Sequence, residues 1–515
     1  MKFTISKTKP QAFHCDIISI GCYERSQNEE DDTKQRPALI KLADGGIALD
    51  KALGGALSKQ ILAEKFTGRR GTSRMLFTAG KIPANFILLT GLGPKEKYDL
   101  EVLREAGAAM ARSAREVKAN SVALVLEPGP VGEDTAPERA RAITEGVILG
   151  GYRFDRYKTE NGDEKQTYAL TTFLYSGNAV PVRAAIEEGR IVAEATCFCR
   201  DIANTPASDA TPAILAKHSH DMARKFGLEC TVLGTEAIRK ARMNGLLEIA
   251  KGSEEPPAFI IIKYRPKEKP RASLALVGKG VTFDSGGLSL KQPKSMETMK
   301  EDKSGAAAVM ATMRAIAQFA PPVAVTAYIP AAENLPDGRA VKPGDIYTAR
   351  NGKTVEVVNT DAEGRLLLAD ALTYAVDHKH DAIVDIATLT GAAAYCCGEL
   401  YALVVGNDQK IVDRLRRAAE ISGEYVWQLP IVEQYKRGFT SGIADLNNVG
   451  KGKAQTINAS IFLREFVGKT PWAHLDIAAC SWTEEELPLS TKGSTGTMVR
   501  TLTSFVLGFK KTLAD

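Results

Sequence analysis

The sequence predicts an α/β protein of two domains. Short apolar runs of strand length alternate with longer helical stretches through the whole chain. At 515 residues the chain exceeds what one hydrophobic core normally serves. Apolar residues make up 44% and charged residues 25%, ordinary proportions for a globular protein. In the first part, 86–90 and 121–126 read as strands flanking a helix from about 100 to 118. The polar stretch 158–165 reads as a surface loop, and 183–203 as a helix leading into Asn204-Thr205-Pro206. The boundary is placed near 180, giving a first domain over 1–180, a linking helix over 181–205 and a second domain over 206–515. In the second domain, runs at 258–262, 274–277, 323–329 and 382–386 predict strands with helices between them. Runs this uniformly apolar predict a mostly parallel sheet with helices on both faces.

Composition narrows the class of function. The net charge of +5, from 67 basic and 62 acidic residues, is too mild to demand a nucleic-acid partner. The eight cysteines lack the spacing of a zinc ribbon or a thioredoxin-like motif, and a reduced, cytoplasmic protein fits them. The start, Met1-Lys2-Phe3-Thr4-Ile5-Ser6-Lys7, has charges where a secretory signal would be apolar. No stretch approaches the eighteen or so uninterrupted apolar residues of a membrane span.

The chemistry concentrates in two clusters. Asn359-Thr360-Asp361-Ala362-Glu363-Gly364-Arg365 opens an apolar stretch of good helix formers, so the start of that helix lies inside the protein. A cation in a first helical turn opposes the helix dipole, and Arg365 therefore reads as a clamp for an anion. Upstream, a buried strand at 274–278 empties into Lys279-Gly280-Val281-Thr282-Phe283-Asp284-Ser285-Gly286-Gly287, the strand end where α/β sheets bind ligands. Lys291 and Asp302 follow, before a second apolar helix with Ser304 as its expected N-cap. Each piece alone has a structural reading: Asp284-Ser285-Gly286-Gly287 as a tight turn, Asp302 as a helix-start acid, Arg365 as a buried ion-pair partner. Together, Asp284, Asp302, Asp361 and Glu363 in one cavity could not all ionise unless cations lay among them, and divalent metal is the natural remedy. His474 reads as a core histidine on a strand, outside the site.

This set resembles the leucyl aminopeptidase family, the two-metal cytosol aminopeptidases, whose signature is Asn-Thr-Asp-Ala-Glu-Gly-Arg with an upstream Lys…Asp…Lys…Asp series, here Lys279, Asp284, Lys291 and Asp302. The resemblance extends through Asp385-Ile386-Ala387-Thr388-Leu389-Thr390-Gly391-Ala392 and Trp472-Ala473-His474-Leu475-Asp476-Ile477-Ala478. It implies that Asp284 and Glu363 bridge two metal ions, that Asp361 binds one of them and that Lys279 and Asp302 bind the other. By the same resemblance Lys291 is the catalytic lysine that stabilises the oxyanion, and Arg365 holds a bicarbonate acting as general base. The resemblance further implies that Met299, Thr388, Leu389 and Gly391 line the pocket for the substrate's first side chain, suited to Leu or Met. The reaction implied is removal of the N-terminal residue from short peptides through a metal-bridging hydroxide. A lysine ligates metal only as the free amine, so Lys279 must lose its proton there. Zinc is the first choice, with Mn²⁺ or Mg²⁺ open to an oxygen-rich site. The resemblance also implies a macro-domain-like N-terminal domain serving assembly, and a homohexamer. The chain departs from the commonest family pattern at Glu301, Lys303 and Ala479, changes that bear on metal preference and substrate range. Two rival classes are a two-metal hydrolase of phosphate esters and a DNA-binding architectural role known for some members of the family.

Overall fold

The computed structural model describes residues 1–24, 41–42, 44–126, 134–159 and 170–510, so most of the expected loop at 158–165 lies outside the described residues. The chain divides into two compact units, Met1–Glu194 with Glu485–Thr491, and Ala195–Glu484 with Lys492–Asp515.

In the first unit the strands are Lys2–Ser6 (β1), Ile17–Glu24 (β2), Ser73–Phe77 (β3), Phe86–Pro94 (β4), Ser121–Val125 (β5) and Leu170–Leu174 (β6). They run in the order β1-β6-β5-β2-β4-β3, parallel except for the edge strand β3, and the two-residue strand Lys41–Leu42 pairs with β2. The helices Leu100–Glu116 (α1) and Ala136–Gly151 (α2) begin where their sequences say they should. Asp99 accepts from the backbone of Val102, and Thr135 with Glu138 forms a capping box. Arg104 and Glu145 form a buried 2.6 Å ion pair between these two helices. The long helix Ala179–Asn204 (α3) contains the point at which the chain divides.

The second unit holds the strands Glu229–Leu233 (β7), Ala258–Tyr264 (β8), Ala272–Gly278 (β9), Gly280–Asp284 (β10), Val323–Asn334 (β11), Ala382–Ala387 (β12), Tyr401–Gly406 (β13), Tyr425–Gln428 (β14) and Trp472–Asp476 (β15). Their order is β14-β13-β15-β12-β9-β11-β8-β7, with β10 paired to β11. The centre is parallel, and β7 and β8 are antiparallel additions at one side, as is the β13–β15 pairing at the other. Along β9, Ala275 and Val277 join the core of the helix Gly364–Asp377 (α5), while Leu274 and Leu276 face the opposite side, and all four are fully buried. The helix Ser304–Phe319 (α4) packs against the same central strands.

One expected detail differs. Lys303, not Ser304, occupies the N-cap position of α4, and no side chain caps this end. The preceding residues Met299–Lys303 form a 3-10 turn, and Ser304 Oγ turns back to donate to Glu301 O at 2.5 Å.

Between α5 and β12, on the side of the sheet away from the strand ends that carry the acids, His380 is held by two hydroxyls. Ser273 Oγ lies 2.8 Å from Nδ1 and Tyr328 OH 2.9 Å from Nε2. Burial, helped by the neighbouring His378, lowers its pKa from 6.5 to about 4, so the folded chain favours the neutral ring. A group depressed on folding contributes stability that is present above its unfolded pKa and is lost as pH falls through its folded one. The melting temperature should therefore fall between pH 6.5 and 4 more steeply in the wild type than in His380→Gln. Parallel melting profiles for the two proteins across that window would refute this contribution.

Candidate active site

The site assembles at the carboxyl ends of the central strands. Lys279 follows β9, Asp284 ends β10, the Asp361–Glu363 segment precedes α5, and Thr388 to Gly391 follow β12. The chain turns sharply after Asp284 because Gly286 and Gly287 adopt left-handed conformations, with φ of 87° and 62°. A Cβ on Gly286 would stand 2.5 Å from Ser289 O and 2.8 Å from Asp361 Oδ1.

Each of two ammonium groups lies between a pair of carboxylates. Lys279 Nζ is 2.7 Å from Asp302 Oδ1 and 2.8 Å from Glu363 Oε1, and also donates to Thr388 O at 2.8 Å. Lys291 Nζ is 2.9 Å from Asp284 Oδ2 and 2.5 Å from Asp361 Oδ1. Carboxylate oxygens of Asp284, Asp361 and Glu363 lie within 4.8 Å of one another. The acids are fixed from behind: Asn334 Nδ2 and the Gly286 amide donate to Asp284 Oδ1, and Thr388 Oγ1 donates to Asp302 Oδ1 at 2.7 Å. Asn334 is a site residue that no sequence motif marked, because its role depends on β11 lying beside β10.

Burial raises the pKa of Asp284 to about 6, and Glu363 adds to the rise while Lys291 and Lys279 oppose it. Asp302 and Glu363 shift upward as well, chiefly through burial. Burial works against the charge on both lysines, yet the surrounding carboxylates outweigh it and hold both pKa values above the ordinary lysine range. Lys291 thus stays charged, in direct contact with Asp284 and Asp361.

Arg365 lies in the first turn of α5, buried, with Nη1 donating to Asn448 O at 2.8 Å and Nε lacking a partner. Burial lowers its pKa to about 10, against the pull of Glu363 and Asp476. His474 pairs with Asp385 at 2.6 Å inside the sheet, and Asp385 also accepts from Trp472 Nε1, so this histidine belongs to the core. One cavity of about 470 Å³ is lined by Lys279, Asp284, Lys291, Met299, Asp302, Asp361, Glu363, Arg365, Thr388, Leu389 and Gly391, the full set of candidate site residues named from the sequence. Glu301 and Ala478 share its wall.

The donor set fits divalent metal. Four acids and a lysine amine converge on one cavity, and Asp302 Oδ2 is buried without any hydrogen-bond partner. Buried polar atoms are nearly always satisfied, and a cation would satisfy this one. A metal would replace the ammonium of Lys279 as counter-charge, and the amine would have to release its proton to become a ligand.

An α/β fold with an acid and lysine cluster at its strand ends defines a metallohydrolase class, and comparison with known proteins narrows it. Residues 197–503 match the catalytic domain of the cytosol aminopeptidase family, and residues 32–161 match its N-terminal domain. A probable cytosol aminopeptidase of Geotalea uraniireducens is 42% identical, over 99% of this chain and 100% of its own length. One from Solibacter usitatus is 44% identical, over 89% of this chain and 98% of its own. Among solved structures, a lysine-to-glutamate mutant of tomato leucine aminopeptidase superposes with a TM-score of 0.88 at 33% identity, covering 98% of this chain and 96% of that one. The bottromycin maturation enzyme BotP in complex with Mn gives a TM-score of 0.83 at 34% identity, covering 96% and 99%. The chain belongs to the cytosol aminopeptidase family. It is a metal-dependent aminopeptidase, a metallo-exopeptidase.

Proposed function

We propose that the enzyme removes an N-terminal residue, of Leu or Met type, from short peptides, using two divalent ions held by Lys279, Asp284, Asp302, Asp361 and Glu363. The observation that carries this reading is the pairing of the four acids around two lysines, with Asp302 Oδ2 buried and outside every such pair. When bound, two such ions supply Lewis acidity, lowering the pKa of a water and polarising the scissile carbonyl.

The chain's own residues do the rest. Lys291, charged and at the cavity wall, donates to the oxyanion that develops as the carbonyl is attacked, an effect worth about 3–4 kcal/mol elsewhere. Arg365, a buried guanidinium with an unused Nε, holds bicarbonate, which acts as general base. Met299 and Leu389 offer apolar contact to the first side chain, and Thr388 ties the pocket to Asp302. Zinc is the proposed metal, with Mn²⁺ or Mg²⁺ replacing it at one position. We place the enzyme in the cytoplasm as a homohexamer, with the N-terminal domain over 1–180 serving assembly; among the described residues no helix is long and apolar enough to cross a membrane.

The test is a pair of substrates assayed on metal-loaded enzyme. Leucine amide should be cleaved and N-acetyl-leucine amide should not, because the free α-amine is the substrate's own contribution to metal binding. Comparable rates on the two would refute exopeptidase action.

A further inference from the structure

We infer that the pocket for the first side chain selects basic residues, with the carboxylate of Glu301 reading the charge of a lysine or arginine. This rests on the aminopeptidase reading and corrects its first-residue preference from Leu or Met to basic.

Glu301 is 9% exposed and lines the cavity beside Met299 and Asp302. Its side chain reaches the turn after Ala478, which lines the same cavity, and there Ser481 Oγ donates to Oε2 at 3.1 Å. Thr298 supplies a second hydroxyl contact. The charged neighbours that act on it most strongly, Asp302 and Glu484, are both acids. The two nearest lysines in sequence are engaged elsewhere. Lys303 Nζ donates to Thr205 O at 2.9 Å and Lys300 O at 2.6 Å, and Lys300 Nζ stands 5.4 Å over the Trp482 ring. Among the described residues, no cation forms an ion pair with Glu301.

A carboxylate removed from water costs several kcal/mol unless a cation compensates it. Here the wall of a substrate pocket carries one whose protein partners are hydroxyls only. A bound peptide with a terminal ammonium or guanidinium on its first side chain supplies the missing charge. Met299 and Leu389 suit the methylene stem of such a residue, because Lys and Arg bury their stems on apolar surface while their heads seek polar partners.

Norleucine has an unbranched apolar side chain close to that of lysine but lacks the ammonium, so the two amides isolate the charge. On the metal-loaded full-length enzyme, kcat/KM for lysine amide should exceed that for norleucine amide by about 10-fold or more, the worth of a hydrogen bond to a charged group. In Glu301→Gln, which keeps the side-chain length and an oxygen for Ser481, the lysine-to-norleucine ratio should fall by about 10- to 100-fold, with metal content unchanged. A wild type that prefers norleucine overturns the inference without any variant. So does an unchanged ratio in Glu301→Gln, or loss of metal from that variant, which would make Glu301 part of the metal site. If leucine and norleucine amides are cleaved, such a result leaves the aminopeptidase reading intact. If no amide is cleaved, both fall.

Discussion

Glu363→Ala and Asp361→Ala should each reduce turnover to the background of the assay and lower the metal content of the purified protein. Glu363 is fully buried within the cluster and lies 2.8 Å from Lys279 Nζ, and Asp361 lies 2.5 Å from Lys291 Nζ. Removing either carboxylate takes away a ligand and upsets the balance of two cations against four acids. The expected loss is functional more than structural, because the surrounding helix and strands are held by apolar packing: Leu366, Leu367, Leu368 and Leu372 of α5 are fully buried in the core. The measurement is metal stoichiometry and rate on variants shown to be folded by their melting transitions. Near-wild-type activity with the full metal complement would sink the metal assignment of that residue.

Arg365→Ala should lose about 10²–10⁴-fold in rate while keeping its metal, the range a positioned general base contributes. The guanidinium sits buried in the first turn of α5, where a positive charge opposes the helix dipole and loses its hydration, and burial lowers its pKa to about 10. A bound anion offsets both costs. Arg365→Lys should recover only part of the rate, since a point charge cannot present the two-pronged donor geometry that fits a planar carbonate. Depleting bicarbonate should slow the wild type and adding it back should restore it, while Arg365→Ala responds weakly. An unchanged rate in Arg365→Ala would refute the anion clamp. A wild-type rate independent of bicarbonate, after exhaustive removal of bound ion, would assign the base to another group.

The sequence by itself determined the α/β class, the strands at the centre of the second sheet, the burial of α5 and the clustering of acids and lysines at element ends. These rest on local signals. Apolar runs at 274–277 and 382–386 carry strand propensity and burial together, and a helix that is apolar all round has no face to offer water. The Asn359 to Arg365 segment was legible because charged groups at the mouth of an apolar helix have no cheap structural explanation.

Tertiary structure decided what no local pattern encodes. Strand direction is one such matter: β8 is as apolar as its neighbours, yet it runs antiparallel to β11, and periodicity does not distinguish the two senses. Ser304 looked like a cap, but the 3-10 turn before it gave its hydroxyl a nearer acceptor in Glu301 O. Lys291 could be named from the sequence, whereas its contact with both Asp284 and Asp361 required the turn at Gly286 to bring those acids together. Asn334 behind Asp284, and Ser481 against Glu301 across 180 residues of chain, were invisible for the same reason. Propensity and periodicity act over a few residues, while the partners of a buried charge are chosen only when distant segments close around it.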